Sequence, residues 1–410
     1  RHPGLRGNFR RLVQRSLKSF EVQNYKGFRD RQHVDLAPLT LLYGENSSGK
    51  SALLRLVPWI AESMGDARPG PCLDATVGRE ALWSDLAHIS SPRQPIEVRI
   101  DWHAGPSATW CFRGGTLPET CELKSIDLVN SDHHWLLEDD GDGLWQGRVQ
   151  AVAGLLPAGD ESQWLRSVGC SRSQFQLSVQ WLQGVRAPVA RVAKGLASSP
   201  STLSPTGDGV ARFLYYWDRV ARSDSETKAL AFVLKFFEVL GFELLVVDVA
   251  PGFFRLDVAP MGNPSSAINL VDTGEGLTQV LAPLVALARA ANGIGPSVVC
   301  LEQPELHLHT DAQRALALSI ADAAVAGAQV MIETHSEVLL AATQLAIANR
   351  RIPSGDVALY WVARHSGPVS IARPVPLDDR GRVGSAWPVD AFDDLLQLKS
   401  ELLDAQRGVS

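Results

Sequence analysis

The stretch that most constrains this chain is Leu39-Thr-Leu-Leu-Tyr43 followed by Gly44-Glu-Asn-Ser-Ser-Gly-Lys-Ser51. Four of the first five residues are apolar, which predicts a short buried strand. The next eight fit G-x-x-x-x-G-K-[ST] position for position. Ala52-Leu-Leu-Arg-Leu-Val57 then predicts the start of a helix, closed or kinked at Pro58. Strand, glycine-rich loop and helix, in that order, are what a phosphate-binding loop requires. Gly44 and Gly49 let the backbone approach closely. The N–H groups from Glu45, Asn46, Ser47 and Ser48 to the helix start at Ala52 can then cradle phosphate oxygens. Lys50 is expected to reach the β- and γ-phosphates of a nucleotide, and the Ser51 hydroxyl to hold Mg²⁺.

The chain has 410 residues, enough for two or three packed units with a substantial core. Hydrophobic residues make up 45% and charged residues 20%, which excludes a disordered polypeptide. A formal net charge of −6 excludes a basic nucleic-acid sleeve and leaves only a local patch. The five cysteines (Cys72, Cys111, Cys121, Cys170 and Cys300) are odd in number, scattered and without a C-x-x-C pair. They suggest neither a zinc site nor a disulfide framework, and a reducing cytoplasm fits them. The most apolar long stretch, 229–250, is interrupted by Lys235, Glu238, Glu243 and Asp248, so no membrane span is expected. Arg1-His-Pro-Gly4 lacks an initiator Met and an apolar core and reads as a processing edge, not a secretion signal.

Residues 1–18 carry Arg1, Arg6, Arg10, Arg11, Arg15 and Lys18 without an acid, as a solvated tail or a basic arm for nucleic acid or a partner would. Leu17–Tyr25 and His33–Leu36 predict two strands around a turn at Lys26-Gly27, a hairpin ahead of the loop. Ile96–Trp102 alternates cleanly, and Trp110–Phe112, Cys121–Leu123 and His134–Leu137 predict further strands of an antiparallel sheet. Asp139-Asp-Gly-Asp-Gly143 reads as a turn; it lacks the spaced acids and closing Glu of a calcium loop. Residues 184–208, rich in Gly, Ala, Ser and Pro, read as a linker or flexible loop. Helical spacing runs from Gly209 to Leu240, as one long helix or two shorter ones, and a hairpin follows around Pro251-Gly252.

Chemistry returns in the last third. Leu270–Gln279 is a glycine-punctuated turn feeding a helix, Val280–Ala291, with Thr278 as its cap or first-turn residue. The apolar run Ser297–Leu301 ends in Glu302-Gln-Pro-Glu305, then Leu-His-Leu-His309. A second run, Ala328–Ile332, ends in Glu333-Thr-His-Ser336. Two strands (357–362 and 369–371) and a short helix (391–402) complete the expectation. Three buried strands thus end in polar clusters. In an open parallel α/β sheet, ligands sit outside the carboxyl ends of the strands. The loop, Glu302, Gln303 and His335 should therefore converge on one nucleotide, with Glu302 holding Mg²⁺ and His335 touching the γ-phosphate.

These motifs resemble those of ABC-type ATPase heads. More closely, they resemble a bacterial AAA-labelled group related to the overcoming-lysogenization-defect nucleases and the chromosome-maintenance heads. Asn24-Tyr-Lys-Gly-Phe28 is similar to that group's strand-one element, Gly44–Ser51 to its Walker A and Val271–Gln279 to its signature. Glu302–His309 is similar to its Walker B and D-loop, Glu333–Ser336 to its switch histidine, and Trp387-Pro with Phe392 to the C-terminal signature of one subgroup. The resemblance implies an α/β P-loop NTPase of ABC type. Its mostly parallel sheet core would carry an N-terminal antiparallel β subdomain and a helical/β insertion. The expected division is a basic arm (1–18), an N-terminal ATPase lobe (19–60), a β subdomain with helical insertion (61–268) and a C-terminal ATPase lobe (269–410).

It further implies ATP and Mg²⁺ as ligands and a homodimer closed around ATP, with Gly274, Gly276, Thr278 and Gln279 of one subunit meeting the γ-phosphate held by Lys50 of the other. A separately encoded effector (a nuclease or toxin), a DNA-linked role in antiphage defence or genome maintenance, and a cytoplasmic, membrane-free setting complete the picture. Two departures matter. Gln303 stands where such ATPases place a catalytic Glu, so hydrolysis should be slow, with Glu305 left to assist. And the 75 residues after His335 are too few for the nuclease domain fused to relatives in this group, so a nuclease would act in trans. The rival to slow hydrolysis is a non-hydrolysing ATP-gated clamp. A transporter subunit would want a Leu-Ser-Gly-Gly-Gln signature, which is lacking.

Overall fold

The computed structural model describes residues 17–65, 70–74, 76–103, 105–130, 133–139, 151–158, 170, 172–385 and 387–388. The basic segment before Leu17, the run 140–143 of the expected turn, and the expected helix 391–402 with Phe392 lie outside the described residues.

Strands β1 (Leu17–Gln23) and β2 (Gln32–Asp35) form the expected hairpin, and β3 (Leu39–Gly44) runs into the glycine-rich loop. A meander follows: β4 (Ile96–Trp102), β5 (Ser107–Gly114), β6 (Cys121–Asn130) and β7 (His133–Glu138). The short pair β8 (Ala151–Ala153) and β9 (Leu156–Ala158) precedes β10 (Val179–Leu182) and β11 (Ala193–Lys194). Strands β12 (Phe242–Ala250) and β13 (Phe253–Pro260) form the second expected hairpin, with β14 (Ile268–Asn269) on its edge. Then come β15 (Val298–Glu302), β16 (Gln329–Glu333), β17 (Val357–Ser366) and β18 (Val369–Pro374).

These strands make two six-stranded sheets, a four-stranded one (β11-β13-β12 with β14) and the separate β8–β9 pair. The first is antiparallel, in the order β2-β1-β4-β5-β6-β7. The second has the order β10-β15-β16-β3-β17-β18, its first five strands parallel and β18 antiparallel. Every residue of β3, β15 and β16 is buried, as continuous apolar runs must be when both sheet faces are covered. Strand alternation divides them between two cores. Leu39, Leu41, Tyr43, Leu301 and Ile332 pack with helices Asp224–Val239, Leu281–Ala291, Thr310–Val325 and Glu337–Ala348. Leu42, Val298, Cys300 and Met331 point the other way, onto helix Lys50–Gly65 and the antiparallel sheet.

Pro58 does not end its helix, which runs on to Gly65. An interior proline costs about 3 kcal/mol. Beyond it Trp59, Ile60 and Met64 are buried, and each large apolar side chain contributes about 1.5–3 kcal/mol, so burial wins. Residues 184–208 are not a free linker either. Gln183 N–H donates to the Pro205 carbonyl (2.9 Å), Ala187 N–H to Thr206 (2.7 Å), β11 pairs with β13, and Arg186 is buried. The helical stretch 210–239 is two helices, Val210–Tyr215 and Asp224–Val239, joined by a π turn. Sheet membership crosses the expected domain limits: β1 pairs with β4, and β10 pairs with β15. Among the described residues, no helix is long and apolar enough to cross a membrane.

Candidate functional site

The loop after β3 holds its shape by close backbone approach. Gly44 has φ +143°, and a Cβ there would lie 1.8 Å from the Val362 carbonyl oxygen of neighbouring β17. Gly49, at φ +106°, would put a Cβ 2.9 Å from the ring of Phe28, in the segment Asn24–Phe28. Lys50 is buried, and its Nζ donates to the carbonyls of Gly44 (2.9 Å) and Glu45 (2.5 Å). Burial lowers its pKa, against the pull of Glu333 and Glu45. The Ser48 hydroxyl is buried without a hydrogen-bond partner. Beside the loop lies a cleft of 650 Å³ lined by Ser47, Gly49, Ser51 and Ala52, with three cations, Lys26, Arg55 and Arg364, on its walls.

Ser51 and Arg55 stand four residues apart in helix Lys50–Gly65, so they share one face a turn apart. Strands β15 and β16 lie side by side with Glu302 and Glu333 in register. The helix lays one of these two residues on each acid. Ser51 Oγ donates to Glu333 Oε1 at 2.8 Å. Arg55 grips Glu302 with two bonds, Nε to Oε1 at 2.5 Å and Nη2 to Oε2 at 2.7 Å. Trp181 Nε1 on β10 also donates to Glu302 Oε1, at 2.9 Å. The guanidiniums of Arg55 and Arg79 each lie 5.7 Å from the Trp181 ring centroid. The second oxygen of Glu333 is buried with no hydrogen-bond partner, and burial raises its carboxyl pKa.

Gln303 follows at φ +40°, its N–H donating to the Glu333 carbonyl at 2.8 Å. Buried Arg186 donates through Nη2 to the Glu302 carbonyl at 2.9 Å; its Nε and Nη1 have no partner, and burial pushes its pKa down to about 10. Glu305 accepts from the Thr334 hydroxyl (2.6 Å) and the His335 N–H (3.2 Å), and burial raises its pKa. His335 is exposed at the strand end, its pKa lowered by partial burial and then by the charge of Lys50. Tyr43 hydroxyl donates to the Ser336 carbonyl at 2.9 Å, while Trp387 packs edge-on to Tyr43 and Trp361.

The segment 270–279 is elsewhere. Gly274, at φ +104°, opens the short helix Glu275–Gln279, and Thr278 donates back to the Glu275 carbonyl (2.7 Å). Gly274 and Gly276 line a separate groove of 690 Å³ with His307, His309, Asp311 and Arg314. None of these lines the phosphate-loop cleft. One thread joins the two regions: Gln279 Nε2 donates to the Arg186 carbonyl at 3.2 Å, and Arg186 holds the Glu302 carbonyl.

The structure therefore brings Gly44–Ala52, Glu302, Gln303, Glu305 and His335 to the ends of β3, β15 and β16, and holds Gly274–Gln279 apart. Of the two residues expected to hold Mg²⁺, Ser51 meets Glu333, and Glu302 is bonded by Arg55. Sequence reasoning missed Arg55, Trp181 and Arg186. Arg55 carried a signal, a lone cation one turn after Ser51 in an apolar helix. Trp181 and Arg186 belong to no motif.

A family model described as "AAA domain, putative AbiEii toxin, Type IV TA system" matches residues 237–341. No curated protein matches the chain. Solved structures similar to it include the SMC head domain from Thermotoga maritima, 12% identical, covering 88% of this chain and 99% of that one at a TM-score of 0.45. The SmcHead bound to the C-winged helix domain of ScpA covers 88% and 98% at 12% identity and 0.45. The Smc head domain with an extended coiled coil, bound to the C-terminal domain of ScpA derived from Pyrococcus furiosus, covers 96% and 99% at 12% and 0.43.

Proposed function

We propose that this chain binds ATP with Mg²⁺ at its phosphate loop, hydrolyses it slowly, and closes as a homodimer around the nucleotide. One observation carries the reading. Lys50 and Ser51 open the helix that follows a parallel strand and its glycine-rich loop, and among the described residues the hydrogen bonds of the Lys50 ammonium go to loop carbonyls. A polyphosphate would draw the ammonium off those carbonyls, because its oxygens carry the negative charge that neutral carbonyls lack. Lys26 and Arg364 around the cleft add positive potential for the same ligand. The Ser51 hydroxyl and the carboxylate beside it are hard oxygen donors of the kind Mg²⁺ takes. Bound there, Mg²⁺ would neutralise charge on the β- and γ-phosphates.

In the hydrolytic step, the Gln303 amide orients the attacking water but takes no proton, so turnover is slow. Glu305, tied to Thr334 and the His335 N–H, fixes the turn that presents the His335 imidazole toward the γ-phosphate. Gly274 and Gly276 line a groove apart from their own subunit's loop, which suits a role at the partner's γ-phosphate across a C2 dimer, whereas Thr278 and Gln279 are buried and bonded within their own subunit and support that turn from beneath. The dimer gates a separately encoded effector, a nuclease or toxin, in a DNA-linked cytoplasmic role in defence or genome maintenance. That last part rests on the motif resemblance alone. A second reading, an ATP-gated clamp that does not hydrolyse, is favoured by the amide of Gln303 where a carboxylate base is expected.

Light scattering with and without ATP, alongside phosphate release under single-turnover and steady-state conditions, tests both readings. ATP-dependent dimers that release phosphate slowly support the first. Dimers that release none in a single turnover support the clamp. A monomer under all conditions contradicts both.

A further inference from the structure

The two glutamates at the ends of β15 and β16 have exchanged parts. We propose that Glu333, with Ser51, supplies the protein oxygens for the magnesium that accompanies ATP, and that Glu302 is a fixed anchor for Arg55. This rests on the nucleotide site proposed above.

Three observations on the chain's own residues carry it. First, Glu302 has no free capacity. Both its oxygens are bonded by Arg55, one of them also by Trp181, and its side chain is only 8% exposed. To turn toward a cation it would have to break a bidentate ion pair and leave a guanidinium without its partner. Arg55 also cancels its charge, and a neutralised carboxylate attracts a divalent ion weakly.

Second, Glu333 has what Glu302 lacks. One oxygen touches the Ser51 hydroxyl, and the other is buried without any hydrogen-bond partner. A buried oxygen of this kind costs free energy unless something fills its valence. Among the described residues, no cluster of three or more His, Cys, Asp or Glu side chains could hold a metal. A hydroxyl plus one carboxylate is, however, the sparse protein set that Mg²⁺ uses when phosphates and water complete its shell.

Third, the sheet order favours Glu333. The sequence of strands is β15-β16-β3, so Glu333 ends the strand next to the phosphate loop and Glu302 ends the one beyond it.

Isothermal titration of ATP, with Mg²⁺ and with EDTA, gives for each protein the factor by which the metal tightens ATP binding. Glu333→Gln is expected to lower that factor about tenfold while ATP affinity in EDTA holds or improves. Glu302→Gln is expected to leave the factor within about twofold. If Glu302→Gln fails to fold, the double variant Arg55→Met/Glu302→Met removes both charges together, a change buried pairs tolerate better, and it too should retain the factor. Mn²⁺ electron paramagnetic resonance on the ATP complexes should show an altered metal environment for Glu333→Gln only. Loss of the factor in Glu302→Gln or the double variant, with Glu333→Gln unaffected, overturns the inference while leaving the nucleotide site intact. Absence of ATP binding by the wild type overturns both.

Discussion

The ends of β15 and β16 are two regions alike in sequence and opposite in chemistry. Each is an apolar strand closed by a glutamate, the two in register on neighbouring parallel strands. At one end the acid is clamped by a guanidinium and an indole. At the other it meets only a serine hydroxyl, with one oxygen left over. Nothing in the strands makes this difference. It comes from helix Lys50–Gly65, which crosses both ends and presents Ser51 to one and Arg55 to the other. A residue's role at a strand end is therefore set by the element lying across it as much as by its place in a motif.

The largest expected break in this comparison is Arg55→Met. It strands the Glu302 carboxylate with a single Trp181 donor, and loss of one partner of a buried pair costs about 3–5 kcal/mol. Urea unfolding should show a loss of that order, against about 1–3 kcal/mol for Ser51→Ala, which leaves the Glu333 carboxylate without its one hydrogen bond. Equal losses would mean the two ends are equivalent.

Gln303→Glu sharpens the comparison, because residue 303 follows Glu302 and its N–H bonds the Glu333 carbonyl. A third carboxylate here would raise a neighbouring pKa and disturb a cation if both glutamates were unpaired. With Glu302 already neutralised by Arg55, and Lys50 nearby, the new base should gain. Turnover at saturating ATP should rise about tenfold, the low end of what a positioned base contributes. A fall would make Gln303 itself the tuned residue.

The smallest effect is expected from Trp181→Phe. It keeps a ring under Arg55 and Arg79 but removes the N–H to Glu302. The cost should be about 1 kcal/mol in unfolding, one ordinary hydrogen bond to a carboxylate that retains its two from Arg55. A change in the metal dependence of ATP binding in this variant would tie Trp181 to the metal and blur the two ends.

The fold was legible where burial leaves a local trace. Strands β3, β15 and β16 are unbroken apolar runs, and β4 alternates without fault. Strand β10 was not, because its four residues are broken by Gln180 and its place beside β15 is a long-range fact. Pro58 misled because a local rule was outweighed by the burial of Trp59 and Ile60. The same division holds at the site. The phosphate loop works through its own backbone, so eight consecutive residues specify it. The fates of Glu302 and Glu333 are decided by partners 121 to 282 positions away, beyond the reach of any motif.

The measurement that tests the central claim most directly is ATP binding with Mg²⁺ by isothermal titration, to the wild type and to Lys50→Ala. One ATP per chain is expected for the wild type. Affinity should fall about a hundredfold in the variant, the upper range for losing charge-assisted bonds to phosphate, with urea unfolding unchanged. Equal affinity in the two proteins would place any nucleotide elsewhere and contradict the account.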